Sequence, residues 1–229
     1  MSHENRLAEL FDRLAKDGSA ERYETLFDDV VRQTLEGMSV RPGHQLLDAG
    51  CGTGWATRRL GKLAAGAQAI GVDVSPAMIA RADETSDWTS RARFERMAIE
   101  DLDFPDAKFD HVFSLETLEY VEDVERALAS IARVVKPGGR FELLVHRRAD
   151  SPRTEAWAEL FELPMQWLSE TDWAEAVRAA GFEVESADSL KESRDAAPFA
   201  ETPTVPDEAA RDELLSRVGV HWIRGIRAE

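Results

Sequence analysis

Hydrophobic positions change spacing in a regular way between residues 44 and 146. Short apolar runs, in QLLDAG, AQAIGVDV, ARFERMAI, FDHVFSL and RFELLVH, read as strands. Between them, GWATRRLGKLAAG, PAMIARADETS and DVERALASIARVV repeat their apolar residues at helical intervals. The first of these helices is expected to close at Gly66. Ser75-Pro76 caps and opens the second, and the turn Lys136-Pro137-Gly138-Gly139 ends the third. Such alternation predicts a parallel sheet with helices on both faces and right-handed crossovers.

Outside this stretch the rhythm differs. NRLAELFDRLA and YETLFDDVVRQTLEGM predict two amphipathic N-terminal helices. After residue 150, SPRTEAWAELFELPMQWL reads as an inserted helix, and ETDWAEAVRAAGFEVESADSL as helix, glycine and strand. Residues 191–206 hold three prolines and no period, so they read as a loop. DEAARDELLSRV then reads as a helix and GVHWIRGIRA as a closing strand.

Composition narrows the function. The 229 residues suit one domain, and 43% hydrophobic residues suffice for a packed core. A net charge of -16 repels a phosphate backbone, and Arg147-Arg148 is only a pair, so nucleic acid is not expected as a partner. Arginine outnumbers lysine, which occurs only as Lys16, Lys62, Lys108, Lys136 and Lys191. A saline environment and genomic base composition both explain that bias. Cys51 is the single cysteine, so no internal disulfide forms. With no signal-like start and no long apolar run, a cytoplasmic protein without membrane insertion is expected, as a monomer or homodimer.

The candidate chemistry begins at LLDAGCGTGW. Asp48 precedes Gly50, Gly52 and Gly54, and the second strand ends at Asp73. Glycines let backbone approach a ligand, and a carboxylate at a strand end can accept both ribose hydroxyls. Two nucleoside cofactors compete for this pattern. A nicotinamide dinucleotide wants G-x-G-x-x-G, but Trp55 stands at the third glycine's place and Asp48 would face phosphate. S-adenosylmethionine has no phosphate, and Asp48 suits the ammonium of its amino-acid tail.

The ordered set LLDAGCGTGWATRRL, IGVDVSPAMIARA, FDHVFSLETLEYVEDVERALASIARVVKPGGRF and WAEAVRAAGFEV resembles the class I S-adenosylmethionine-dependent methyltransferases, specifically the type 11 small-molecule group. The resemblance implies an α/β, Rossmann-like, doubly wound seven-stranded sheet of order 3-2-1-4-5-7-6 with strand 7 antiparallel. The N-terminal helices and a helical insertion after strand 5 are additions to it. One methyltransferase domain would span 1–229, with a helical cap at 1–40, a cofactor-binding core at 44–146, a lid insertion at 151–168 and the rest of the sheet at 170–229. It also implies the cofactor, S-adenosyl-L-methionine, and methyl transfer to a small-molecule acceptor by in-line displacement. Carried over residue by residue, the cofactor site comprises Asp48, Gly50, Cys51, Gly52, Gly54, Asp73, Val74, Met78, Ile99, Glu100, Ser114 and Leu115. Many relatives place an adenine-binding Asp where this chain has Ala98, so Glu100 or backbone near Ile99 is expected to read the base. Cys51 reads as a small buried residue of the loop.

After the fourth strand the chain reads Leu115-Glu116-Thr117-Leu118-Glu119-Tyr120. This resembles the E-x-x-E-H pattern of ubiquinone-biosynthesis O-methyltransferases, with Tyr120 in the histidine's place. If helical, the spacing sets Glu116 and Glu119 on one face. They and Tyr120 are the candidate catalytic residues, against the plainer reading of a solvated acidic turn; no metal is expected. Tyr23, Trp157, Phe161 and Trp167 are candidates for an apolar substrate pocket roofed by the N-terminal helices and residues 151–168. The tryptophans equally suit packing of the added helices. A non-catalytic cofactor- or partner-binding protein, and a nicotinamide-dependent dehydrogenase, stay open as alternatives.

Overall fold

A computed structural model describes residues 2–146, 149, 162–194, 198–202 and 204–229. Two helices come first, α1 (His3–Lys16) and α2 (Ser19–Gly37). The core then runs β1 (Gln45–Ala49), α3 (Trp55–Leu60), β2 (Gln68–Asp73), α4 (Pro76–Glu84), β3 (Ala92–Arg96), β4 (Phe109–Leu115), α5 (Val124–Val134) and β5 (Val135–Val145). It finishes with α6 (Glu170–Ala179), β6 (Phe182–Leu190), α7 (Glu208–Arg211) and β7 (Val220–Arg227). The strands lie in the order 3-2-1-4-5-7-6. β7 runs antiparallel to both β5 and β6, and the other pairs are parallel.

Period-two alternation splits the core into two layers. Leu46, Phe113 and Leu144 face the layer built with α1 and α2, whereas their neighbours Leu47, Val112 and Leu143 face the layer built with α5 and α6. Both faces of the central strands are thereby covered, as a parallel sheet requires.

Caps fix the helices as the residue types suggest. The Ser75 hydroxyl accepts from the Met78 N–H with Pro76 at the first turn, and Asp123 caps α5 through the Arg126 N–H. Ser169 and Asp172 form a reciprocal capping box on α6. Two expectations need correction. α3 ends at Leu60 rather than Gly66: after it the chain tightens into i→i−3 bonds, Lys62 to Arg59 and Leu63 to Leu60. Lys136–Gly139 is not a connecting turn; β5 begins at Val135, and these residues bulge between the Phe109–Val135 and His111–Arg140 pairs. The expected helix after β5 lies largely outside the described residues, and 162–168 is irregular. There, Gln166 donates its N–H to the Glu119 carbonyl at 2.7 Å and its side chain to the carbonyls of Val121 and Glu122.

Residues 191–194 are tied to α2. Burial alone would raise the Asp29 carboxyl. Hydrogen bonds from the N–H and hydroxyl of Ser193 and from Arg32 and Gln33 instead hold it well below the usual carboxylate range. No described helix is long and apolar enough to cross a membrane.

Candidate active site

At the carboxyl ends of β1, β2 and β4 lies a cavity of about 420 Å³, roofed by α1 and α2. One wall is local in sequence. The chain leaves β1 at Ala49, and the N–H groups of Gly50 and Cys51 both donate to the Val72 carbonyl at 2.9 Å, folding the loop against β2. Gly50 has φ +83°, and a Cβ there would sit 2.1 Å from the Thr117 hydroxyl oxygen. Only glycine satisfies both demands.

Two buried carboxylates flank this loop. Asp73 closes β2 and accepts from the Gly52 N–H and the Ser75 N–H, both at 2.9 Å. Burial pushes its pKa from 3.8 up to about 6, against the pull of those donors. Asp48 is 2% exposed and accepts from the Thr57 hydroxyl at 2.6 Å. Burial, aided by the charge of Asp73, carries it to about 7. Burial also raises the Cys51 thiol well above its usual value, so it is an inert packing group in the loop. Met78, Val74, Ile99 and Glu100 continue this wall, and Glu100 accepts from the Glu122 N–H at 3.2 Å.

The opposite wall comes from distant segments. Leu7, Phe11 and Leu14 of α1 present one stripe, Tyr23, Glu24 and Phe27 of α2 another. Phe11 meets Tyr120 edge to face with centroids 5.3 Å apart, and His3 Nε2 lies 2.7 Å from the Tyr120 carbonyl. Glu24 accepts a short hydrogen bond from the Thr53 hydroxyl, and burial raises its pKa. Asp12 accepts from the Ser75 hydroxyl at 2.5 Å and from the Ala77 N–H at 3.0 Å, so α1 clasps the start of α4.

Of the carried-over residues, Asp48, Gly50, Cys51, Gly52, Asp73, Val74, Met78, Ile99, Glu100 and Leu115 line this cavity, as do Glu116, Tyr120 and Tyr23. Four lie elsewhere. Gly54 caps α3 with φ +78°, and a Cβ there would strike Phe94 and Ala82, so its role is packing. Ser114 is fully buried and donates to the Ala49 carbonyl at 2.8 Å, tying β4 to β1. Trp167 packs against the cluster beneath α1 and α2. Glu119 is fully buried away from the cavity. It does not share a face with Glu116, because the 3₁₀ turn begins only at Leu118 and Glu116 stands before it in a left-handed conformation, φ +51°. Trp157 and Phe161 lie outside the described residues.

Glu116 pairs instead with a residue the sequence does not flag. His146, just past β5, donates its backbone N–H to Glu116 at 2.6 Å and closes its ring Nδ1 onto the other carboxylate oxygen. Leu115 pairs with Leu144, so strand adjacency was the one available signal for this contact. Among the described residues no group of three or more His, Cys, Asp or Glu is placed to hold a metal ion.

The residues around the loop suit S-adenosylmethionine. At Gly52 nothing lies within 4 Å of where a Cβ would stand, so backbone there is open to a ligand, and Asp48, Asp73 and Glu24 line the same cavity as acids that suit a cation or hydroxyl donors. The same acids disfavour a pyrophosphate.

Residues 47–143 match the Methyltransf_11 methyltransferase domain. The chain is 33% identical to O-methyltransferase cnsE of Penicillium expansum over 76% of its own length and 64% of that protein. It is 32% identical to an uncharacterized methyltransferase of Synechocystis sp., over 66% of its own length and 72% of that one. The chain spans less than two thirds of the length of the first curated relatives it matches. A solved complex between the Haloferax volcanii Trm112 methyltransferase activator and a putative methyltransferase superposes with a TM-score of 0.85 at 29% identity, covering 96% of this chain and 98% of that one. Glycine loop, the acid that closes β2, strand order and these likenesses agree: the chain belongs to the class I S-adenosylmethionine-dependent methyltransferases of the type 11 group.

Proposed function

We propose that this protein transfers a methyl group from S-adenosylmethionine to a hydroxyl of a small, largely apolar molecule. The observation that carries the reading is a single cavity with two unlike walls. One bears Gly50, Gly52 and Asp73; the other bears Phe11, Tyr23, Tyr120 and Glu116. When bound, the cofactor supplies an electrophilic methyl group on a sulfonium, open to in-line attack. Asp73 would accept the ribose hydroxyls, Asp48 would face the amino-acid tail, and Met78 and Ile99 would sandwich the adenine. With Ala98 in place of an acid, Glu100 or the backbone at Ile99 reads the base edge. Alignment of two reactants and exclusion of water supply most of the rate.

Glu116 stands at the acceptor end with its carboxylate oriented by His146. That arrangement suits orienting an acceptor hydroxyl and taking its proton. An oxygen acceptor also accords with the relative named as an O-methyltransferase. The test is calorimetry with S-adenosylmethionine and its demethylated product, followed by a metabolite-extract screen with methyl-labelled cofactor. Binding plus label in a hydroxylated small molecule supports the reading; absence of binding at millimolar cofactor overturns it. Glu116→Gln should lower turnover by about 100-fold while leaving cofactor affinity unchanged.

A second reading rests on the Haloferax likeness, which spans nearly both chains and comes from a partner-bound protein. On it, the methyltransferase works with an activator protein of the Trm112 kind.

A further inference from the structure

Helix α2 carries five acids, and four of them are matched by arginines. Glu21 pairs with Arg81, Asp28 with Arg59 and Arg194, and Asp29 and Glu36 both with Arg32. Glu24 is the fifth. It is the acid that this roof helix turns into the cavity, and among the described residues no basic side chain forms an ion pair with it. Its partner is neutral, the hydroxyl of Thr53 in the glycine loop. Arg58 is near, but its guanidinium donates to the Thr53 carbonyl at 2.8 Å.

A half-buried carboxylate is unfavourable until a cation or several donors meet it. Burial raises the Glu24 carboxyl, and the Thr53 hydroxyl offsets only part of that rise. Asp29, on the same helix, has donors enough to be pulled the other way. A carboxylate accepts about four hydrogen bonds, and Glu24 has one filled. The other acids at the loop are already engaged. Asp48 is 2% exposed and accepts from both the hydroxyl and the N–H of Thr57, which braces β1 against α3. Asp73 holds the N–H groups of Gly52 and Ser75.

We propose that Glu24 holds the ammonium of the cofactor's amino-acid tail, so that α2 closes on the cofactor through a charge-assisted hydrogen bond. This inference rests on S-adenosylmethionine as the cofactor and adds the residue that reads its tail. Thr53, which Glu24 engages, sits between Gly52 and Gly54, and the backbone at Gly52 is open to a ligand. An ammonium brings three N–H donors and a sulfonium none, so the ammonium is the group that fills the remaining positions of Glu24. Asp48, buried and braced by Thr57, then acts on the tail through its charge alone.

The experiment is calorimetry on the full chain and on Glu24→Gln, which keeps an oxygen for the Thr53 hydroxyl and removes the charge. Three probes separate the roles. S-adenosylhomocysteine has the ammonium and no sulfonium. Decarboxylated S-adenosylmethionine has the ammonium and no carboxylate. 5′-Methylthioadenosine has no amino-acid tail. Glu24→Gln should weaken the first two by ~10-fold or more and leave the third within about twofold. Unchanged affinity for S-adenosylhomocysteine overturns the proposal and makes Glu24 a brace for the loop. Tighter binding of S-adenosylhomocysteine also overturns it, by setting Glu24 against the tail's carboxylate. So does an equal loss for 5′-methylthioadenosine, the mark of a damaged loop. A wild-type chain that binds none of the three overturns the cofactor reading as well, whereas the other outcomes leave that reading intact.

Discussion

The two walls of the cavity are made in opposite ways. The wall around the glycine loop is mostly local, Asp48 to Met78 joined by Ile99 and Glu100, and its acid Asp73 is held by neighbouring N–H groups. The acceptor wall gathers residues from His3 to Arg126, and it depends on side chains of helices added outside the alternating core. Contacts of the first kind are set as soon as β1 and β2 pair. Those of the second kind exist only after α1 and α2 dock. A fold built this way keeps one ligand constant while the other can vary with little disturbance to the sheet.

The largest effect should come from Gly50→Ala. The added Cβ occupies the Thr117 position in a left-handed backbone. The combined strain and overlap should cost roughly 3 kcal/mol, seen as a melting temperature lower by roughly 10 °C and loss of cofactor binding. A melting point within a degree or two of wild type would mean the loop is looser than the contact with Thr117 implies.

Next, Asp73→Asn should weaken cofactor binding by about 1.5–3 kcal/mol, read by calorimetry. An unchanged affinity would remove Asp73 from the ribose site and blur the contrast between the walls.

The buried acids add a pH dependence whose sign differs between states. In the ligand-free protein Asp48 and Asp73 have pKa values of about 7 and about 6, raised from 3.8. Their contribution to stability is therefore fully present below the unfolded value and is lost as pH rises through 6 to 7. Cofactor binding favours the ionised forms, so affinity should rise over that window with release of protons. Calorimetry in buffers of different ionisation heat measures the release, and Asp48→Asn should flatten the upper part of the rise. A flat profile in the wild type would place the cofactor's charges away from both acids.

The smallest effect on cofactor affinity should come from Phe11→Ala, within about threefold of wild type, while acceptor turnover falls. An equal loss of both would merge the two walls into one functional unit.

Legibility in the sequence follows the same division. The alternation of strand and helix patterns, the cap at Ser75, and the placement of Asp48 and Asp73 all depend on neighbours a few residues apart. The family resemblance extended this to the strand order, which period and length alone do not fix. Of the acceptor wall, the sequence pointed to Tyr23, Glu116, Tyr120 and the N-terminal helices, but not to how they meet. The stripe Leu7, Phe11, Leu14 announces a helix but not which partner it meets, and nothing near His146 announces Glu116 thirty positions earlier. Gly54 shows a second limit. A glycine in a motif suggests ligand approach, yet here it admits the Phe94 ring. Glu119 shows a third: i,i+3 spacing has meaning only inside a helix, and Glu116 stands outside one.

The clasp between Asp12 and the first residues of α4 bears on how long a ligand stays. Lifting α1 away would strip the Ser75 hydroxyl and the Ala77 N–H of their acceptor two to four residues beyond Asp73. If α1 lifts to let spent cofactor out, departure is coupled to the breaking of that pair of hydrogen bonds on a roof helix. Were escape past α1 to time turnover, Asp12, which does not line the cavity, would set the pace without touching either reactant.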